Sequence, residues 1–182
     1  MKNFKALALT TLAALTTLAP AAQAKFTNND GVTFYEASDF NGAHAELVNK
    51  LYDIGVPVVD GRNTELCEFD GEGQVLGWYT GSKNFMVICY GDQAMREETL
   101  THESVHVMQD CRDGLETDNI VDPSQKLFNQ IVNRLDKSKA DTIVNLYDKS
   151  DWLIEAEAFY YETHPQIVSN GLSNVCGASW SF

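Results

Sequence analysis

The sequence predicts an α+β domain in which a small antiparallel or mixed sheet is followed by packed helices. Between Val58 and Tyr90, β-branched and aromatic runs alternate with Gly- and Asn-rich breaks, a pattern typical of strands and hairpins. From Asp92 onward, the apolar residues recur with the longer period of helices. Strands followed by helices are the usual order in α+β proteins.

The N-terminus has the pattern of a secretory signal. Two lysines precede an uncharged run over residues 6–19, and Ala22-Gln23-Ala24 provides the small residues of a cleavage site. We therefore expect residues 1–24 to be a signal peptide, cleaved after Ala24, and residues 25–182 to form one secreted or periplasmic domain. No later stretch is apolar over a membrane-spanning length.

The charge balance disfavours two classes of partner. The chain has 26 acidic and 13 basic residues, for a formal net charge of −13. Removing the two lysines of the predicted signal makes this charge more negative. Phosphate backbones and anionic membrane surfaces repel such a protein, so we expect it to bind no nucleic acid.

Four cysteines follow the predicted signal, and an even number in an exported chain predicts two disulfides. Of the three possible pairings we favour Cys67–Cys89, clamping neighbouring strands, and Cys111–Cys176, tying the C-terminal tail to the helix that follows Asp92. A four-cysteine zinc site is disfavoured because no Cys-x-x-Cys pair is present.

Local signals place the elements around the sheet. Val32 to Tyr35 alternates like a short strand, and Ser38 or Asp39 is a candidate cap for a helix reaching Leu51. Asp92 is expected to cap a helix that continues to about Cys111. Further helices are expected around Leu127–Leu135, around Ile143–Tyr147, and from Asp151 to a stop at Pro165, with no regular structure assigned to 166–182.

The predicted helix after Asp92 contains the pattern His-Glu-x-x-His, formed by His102, Glu103 and His106. Residues four apart on a helix differ by one turn and about 40°, so both imidazoles point the same way and can share one Zn²⁺. Glu103 lies about 100° round the helix, beside the metal, where it can accept a proton from water. The sequence therefore predicts a zinc site with Glu103 as general base.

A catalytic zinc needs a third protein ligand, and two acids on the predicted helix after Asp151 are candidates. Glu155 and Glu157 are about 200° apart on that helix, so only one can face the metal. We favour Glu155, because Ala158 on its face lets two helices approach closely. Glu157 then becomes a supporting or surface group, and His164 is a rival ligand.

With His102, His106 and the downstream Glu155-x-x-Ala158, the chain resembles the gluzincin branch of zinc peptidases. That resemblance implies a zincin-like α+β domain that hydrolyses a peptide or protein substrate with zinc. It also implies that an edge strand holds the extended substrate by backbone hydrogen bonds, here Phe85–Tyr90 or the strand before it.

Several supporting roles are expected around this centre. Glu98 or Asp110 would orient the ligand imidazoles, with Glu98 preferred because it lies one turn before His102. The candidate donors to a developing oxyanion are His164, Tyr147, Tyr160 and Tyr161. The alternatives to a peptidase are a catalytically inactive zinc-binding protein and a disulfide-stapled secreted interaction protein with incidental histidines.

Overall fold

The computed structural model describes residues 31–62, 64–68, 75–114 and 121–177 of the 182-residue chain. The predicted signal at 1–24 and the predicted turn at 70–73 lie outside the described residues. Within them, a small mixed sheet is followed by packed helices, which confirms the predicted α+β class. The strands are β1 (Val58–Asp60), β2 (Gly77–Thr80) and β3 (Phe85–Ile88); the α-helices are α1 (Gly42–Asp53), α2 (Gln93–Asp110), α3 (Gln125–Val132), α4 (Lys137–Leu146), α5 (Trp152–Tyr161) and α6 (Pro165–Val175).

The sheet has the order β1-β3-β2, with β3 in the centre. β1 is parallel to β3, and β2 is antiparallel to it with Trp78 opposite Val87. A short 3-10 helix connects β2 to β3 and ends at Asn84, whose φ of 51° is in the left-handed region that Asn tolerates. In place of the strand predicted at 32–35, Thr33 and Phe34 form isolated β-bridges, Phe34 with Val59.

α2 is the central helix of the fold. It contacts α1, α5 and α6 on its helical sides and both β2 and β3 of the sheet. Every residue of α2 from Thr99 to Asp110 is buried. The Asp92 side chain caps its start as predicted, with Oδ1 accepting from the Met95 N–H at 3.0 Å. Tertiary packing on all sides thus holds the segment that carries the predicted motif.

Two helix boundaries differ from the predictions. α1 begins after Asn41, because residues 37–39 form a separate 3-10 turn instead of the predicted cap. Pro165 is the first residue of α6, which runs to Val175. Most of the segment 166–182, for which no regular structure was expected, is therefore helical in the described residues. Proline suits a first helical position because its missing N–H would have no helical partner there.

The remaining helices form a second layer. α3 and α4 pack against α5 through a small apolar cluster centred on Ile131, Ile143 and Ala156. α5 is therefore held between this cluster on one side and α2 on the other. Among the described residues, no helix is long and apolar enough to cross a membrane.

Both favoured disulfide pairings are confirmed. Cys67–Cys89 joins a 3-10 turn at Glu65–Cys67 to the end of β3, so it does not link two strands as expected. Cys111–Cys176 joins the end of α2 to the end of α6. Two such bonds are typical of proteins from oxidising compartments.

The two disulfides should contribute unequally to stability. They close loops with sequence separations of 22 and 65 residues. Because loop-closure entropy in the unfolded chain grows with loop length, we expect C67A/C89A to lower the free energy of unfolding by about 3 kcal/mol and C111A/C176A by about 4 kcal/mol. Urea denaturation at equilibrium measures both. A larger loss for the shorter loop would contradict the entropic basis of this prediction.

Candidate metal centre

One face of α2 presents two imidazoles. His102 and His106 stand one turn apart, with ring centroids separated by 5.2 Å. This follows from helical geometry, which places residues i and i+4 on the same face. Both side chains are buried, yet 8% and 7% of their surfaces remain exposed, so small solutes have access to the rings.

Glu155 of α5 is the third member of this cluster. One carboxylate oxygen lies 3.3 Å from His102 Nε2 and the other lies 3.4 Å from His106 Nε2. Ala158, one turn further along α5, is completely buried where the two helices meet, and its small side chain permits their close approach. The structure therefore brings together His102, His106 and Glu155, whose ligand atoms lie within 4.8 Å of one another.

The outer nitrogen of His102 faces a carboxylate. Its Nδ1 lies 3.1 Å from Glu162 Oε2, and Lys139 forms an ion pair with the other oxygen of Glu162. Burial raises the pKa of Glu162, but the hydrogen bonds and charges of His102 and Lys139 lower it by more, so the net effect is a lowered pKa. This acid is therefore ionised and can only accept hydrogen bonds. Glu162, and not the expected Glu98, is the acid that contacts His102 directly; Glu98 is half exposed and lies beside Lys139 and Glu162.

The outer nitrogen of His106 faces an amide. Its Nδ1 lies 2.8 Å from Gln109 Oε1. The amide nitrogen of Gln109 donates to the Ile154 carbonyl at 2.9 Å and to Glu157 Oε2 at 3.1 Å. Since both of these partners are acceptors, only the amide oxygen can face His106, and Nδ1 must carry the hydrogen. Asp110, the other expected orienting acid, instead accepts a hydrogen bond from Tyr79.

These outer contacts determine what the inner nitrogens offer. With hydrogens on both Nδ1 atoms, the neutral rings present Nε2 lone pairs towards Glu155. Oε2 of Glu155 is buried and accepts no well-formed hydrogen bond from the described residues. Three electron-pair donors can converge in this way only if a cation lies between them, either a metal ion or the extra proton of a charged His102.

The electrostatics of His102 point to the same need. Burial lowers its pKa, but the carboxylates of Glu155 and Glu162 raise it more, giving a pKa of about 10. Such a value means that the surroundings stabilise a positive charge at this ring. A metal ion coordinated by the three residues would satisfy this field in place of a proton.

Glu103 lies next to the cluster without being one of its members. It is buried, and its pKa is raised because burial outweighs the lowering effect of His106 and His102. The backbone N–H of Tyr79 in β2 donates to its carboxylate. A Cβ added at Gly77 would lie 3.6 Å from Glu103 Cγ and clash with Thr99 and the Val87 carbonyl, so glycine allows β2 to pack this closely on α2.

Glu157 lies away from the cluster, as its position round α5 predicted. It is completely buried, so it is not the surface group that was one expectation. Arg112 holds it with both guanidinium nitrogens, one at 2.8 Å from Oε2, and Gln109 donates to the same oxygen. Glu157 therefore supports His106 through Gln109 and is no ligand in this arrangement.

Of the four proposed oxyanion donors, one lies at the centre. The Tyr147 hydroxyl donates to the Glu155 carboxylate, and burial raises the pKa of this phenol. His164 is exposed at the start of α6, where it contacts Thr163. The Tyr160 hydroxyl accepts from Arg134, and Tyr161 packs against the Tyr160 ring, so neither has a contact with the cluster.

The sheet corrects one expectation about substrate binding. β3 is paired on both sides, by β1 and β2, so Phe85–Tyr90 cannot accept a further strand. β2, the strand before it, has one partner strand in the described part of the chain. Leu76 pairs towards β3 through its carbonyl, so Gly77 and Tyr79 direct their backbone groups to the outer side, beside Glu103.

Sequence reasoning missed two supporting residues, although signals for both were present. Gln109 lies three residues after His106, a spacing that puts them on the same helix face. Glu162 lies seven residues after Glu155, about two turns, so both can address the same neighbouring helix. Either spacing, applied to a suspected ligand, would have named these partners.

Among the comparisons with known proteins, one family profile matches about half of the chain. The profile of one family, described as a "Domain of unknown function (DUF8637)", matches residues 90–177. This span begins just before α2 and ends just after α6, so it includes all of the clustered residues and leaves out the sheet. No curated protein and no solved structure matches the chain significantly.

The cluster predicts which carboxylate is needed to bind a divalent metal. With zinc at about 100 times its Kd, binding should stabilise the fold by about 2.7 kcal/mol, or raise Tm by about 5–10 °C. We expect Glu155→Gln to abolish this shift, because two imidazoles remain as the only ligands. Glu46→Gln, which changes an exposed acid on α1, should retain it. Thermal unfolding with and without zinc measures both, and an unchanged shift in Glu155→Gln would exclude this carboxylate as a ligand.

Proposed function

We propose that this protein is an exported zinc-dependent peptidase. The observation that carries the proposal is the convergence of His102 Nε2, His106 Nε2 and the Glu155 carboxylate next to a fourth buried group, Glu103. Two imidazoles and one carboxylate are the protein ligands of hydrolytic zinc sites, where one coordination position is left for water or substrate. The resemblance to gluzincins rests on the same three ligand residues.

The choice of zinc and hydrolysis is supported by Glu103. Two histidines and a carboxylate also bind Fe²⁺ in oxygenases, so the ligands alone do not separate the two chemistries. Hydrolysis needs a proton acceptor beside the metal, and Glu103 is a buried carboxyl group at that place that ligates nothing. Burial raises the pKa of Glu103, which favours uptake of a proton by this acid.

In the proposed reaction, the protein residues divide three tasks. A Zn²⁺ ion held by the three ligands would polarise the scissile carbonyl and make water more acidic. Glu103 accepts the proton of the attacking water and delivers one to the leaving amine, while the Tyr79 N–H fixes its carboxylate. The Tyr147 hydroxyl, which donates to Glu155 in this structure, would donate instead to negative charge developing on the substrate oxygen once Glu155 binds the metal.

The outer edge of β2 supports a peptide substrate. An extended peptide can add to such an edge through main-chain hydrogen bonds, which do not depend on its side chains. The Tyr79 N–H on this side donates to Glu103, which leaves the backbone groups of Gly77 and the Tyr79 carbonyl to face a peptide, and the strand packs on α2 beside Glu103. A peptide bound along β2 would therefore pass close to the proton acceptor and the clustered ligands.

Export is part of the proposal and has independent support. The N-terminal signal pattern predicts secretion, and two disulfides are the bonds expected of a protein that folds in an oxidising compartment. The alternatives are an inactive zinc-binding protein and a disulfide-stapled interaction protein. Glu103 disfavours the first, and the converging lone pairs disfavour the second.

Replacing the proton acceptor should separate zinc binding from catalysis. We expect the Glu103→Gln variant of the mature, oxidised chain to bind one zinc, because its ligands are intact. Its hydrolysis of a mixed peptide library should fall by about 10²- to 10⁴-fold, the range for removing a general base. Bound zinc is measured by atomic emission and cleavage by mass spectrometry, with Glu46→Gln, at an exposed position on α1, as the matched variant that remains active.

The same comparison distinguishes the alternatives. Zinc bound by wild type and variant, with no cleavage by either, would support an inactive zinc-binding protein. A wild-type chain that binds no zinc would support the interaction protein. Equal cleavage by wild type and Glu103→Gln would remove Glu103 from the mechanism.

A further inference from the structure

A line of buried hydrogen bonds connects Arg112 to His106. The guanidinium of Arg112, just after the end of α2, holds both oxygens of Glu157 on α5. Glu157 Oε2 accepts from the amide nitrogen of Gln109, and the amide oxygen of Gln109 accepts from His106 Nδ1. This set, Arg112–Glu157–Gln109, is called the His106 relay below.

The direction of every bond in the relay is fixed by chemistry. Arg112 can only donate, so both oxygens of Glu157 accept from it. Glu157 therefore requires the nitrogen of the Gln109 amide to face it, and the Ile154 carbonyl imposes the same orientation. The amide oxygen is left for His106, whose Nδ1 must then carry the hydrogen. An amide rotated by 180° would place two acceptors against each other.

The contribution of these residues to stability does not explain why they are charged and polar. Glu157 and Gln109 have no exposed surface, and burying a charged pair costs desolvation energy that its own attraction barely offsets. Apolar side chains of similar size would fill this space between α2 and α5 at less cost. The arrangement is accounted for if its role is to orient a group at its end.

The two histidines are supported differently. The Nδ1–H of His102 donates directly to an acid, Glu162, whose negative charge Lys139 neutralises. At His106 the acid is one residue further away, and a neutral amide lies between. Both arrangements leave the same result, a ring with hydrogen on Nδ1 and a lone pair on Nε2 facing Glu155.

We propose that Arg112, Glu157 and Gln109 are positioning residues, which act as one unit to orient His106 for metal binding. The unit fixes the orientation of the Gln109 amide, and the amide fixes the Nδ1–H form and the rotation of the imidazole. This inference rests on the proposed metal site, and it assigns to it three residues that touch neither metal nor substrate. Outer partners of this kind typically change metal affinity by about 10- to 100-fold.

A double-mutant cycle tests whether the residues act as one unit. Zinc affinity is measured by competition with a chelator for wild type, Gln109→Leu, Glu157→Gln and the double variant. We expect each single variant to weaken binding by about 10- to 100-fold. Because Glu157 acts through Gln109, the double variant should bind zinc within about twofold of Gln109→Leu alone.

A remote charged pair controls for general destabilisation. Asp60 at the end of β1 is buried and holds Arg62 through both oxygens, as Glu157 holds Arg112, but it lies at the opposite edge of the sheet from β2. Asp60→Asn should lower the thermal stability of the metal-free protein and leave zinc affinity unchanged. Glu157→Gln should change both.

A second measurement reports on His106 itself. In the zinc-loaded protein, ¹⁵N-histidine spectra should show an Nδ1–H for His106 that exchanges slowly with water, since Gln109 holds it. Glu157→Gln should accelerate this exchange and leave the His102 Nδ1–H, held by Glu162, unchanged. A purely structural role for Glu157 would move neither signal selectively.

The outcomes separate this inference from the proposed function. Zinc binding by wild type with unchanged affinity in Glu157→Gln, or losses that add fully in the double variant, would overturn the relay and leave the metal site intact. A wild-type protein that binds no zinc would overturn both. Weakened binding, non-additive losses and selective exchange at His106 together would support the relay.

Discussion

The contact between α2 and α5 is the constraint on which the centre depends. α2 supplies both imidazoles and Glu103, while α5 supplies Glu155. The carboxylate can reach the rings only because the helices approach closely, and Ala158 is the small residue at that contact. A larger side chain there would push the two helices apart. Glu155 would then lie further from the two Nε2 atoms than the present 3.3 and 3.4 Å.

The same contact concentrates negative charge. Three acids are buried around the imidazoles, namely Glu103, Glu155 and Glu162, and Lys139 is the base that pairs with one of them. Glu157 adds no excess negative charge, because the positive charge of Arg112 neutralises its carboxylate. With the histidines neutral and all three acids ionised, as ligation of a metal and proton acceptance require, two negative charges would remain without compensation in a buried region, where each is costly. A divalent cation would balance that charge, so metal binding and folding are expected to be thermodynamically linked in this domain.

The parts of the centre that follow from local geometry were predictable from sequence. The relative positions of His102, Glu103 and His106 follow from their spacing once the segment is helical, and Asp92 marks the start of that helix as its cap. Glu155 was preferred over Glu157 from the small residue at Ala158, a packing argument that depends on the spacing within one helix. Glu162 contacts His102 across 60 positions of the chain, and Lys139 contacts Glu162 across 23. The spacing from Glu155 could have indicated Glu162, but nothing in the sequence pointed to Lys139, whose contact depends on how the helices pack.

α6 was missed for a different physical reason. Its sequence contains Ser, Asn and Gly171, which have low helix propensity, so no helical signal stands out. Packing overrides that propensity: a Cβ at position 171 would lie 2.4 Å from Met108 Sδ, so glycine is what allows α6 to approach α2. Cys111–Cys176 then fastens the same pair of helices. α6 is therefore a helix because of its neighbours.

The burial of α2 explains why so polar a helix can lie at the centre of the fold. Thr101 and Ser104 satisfy their hydroxyls on carbonyls of their own helix, at 2.9 Å and 2.6 Å. The histidines and Gln109 cannot do so, and they require partners from α5 or from each other. A helix that buries polar groups on several faces costs stability unless those partners are all in place. The polar residues of α2 thus specify both where α5 must lie and what the interface can bind.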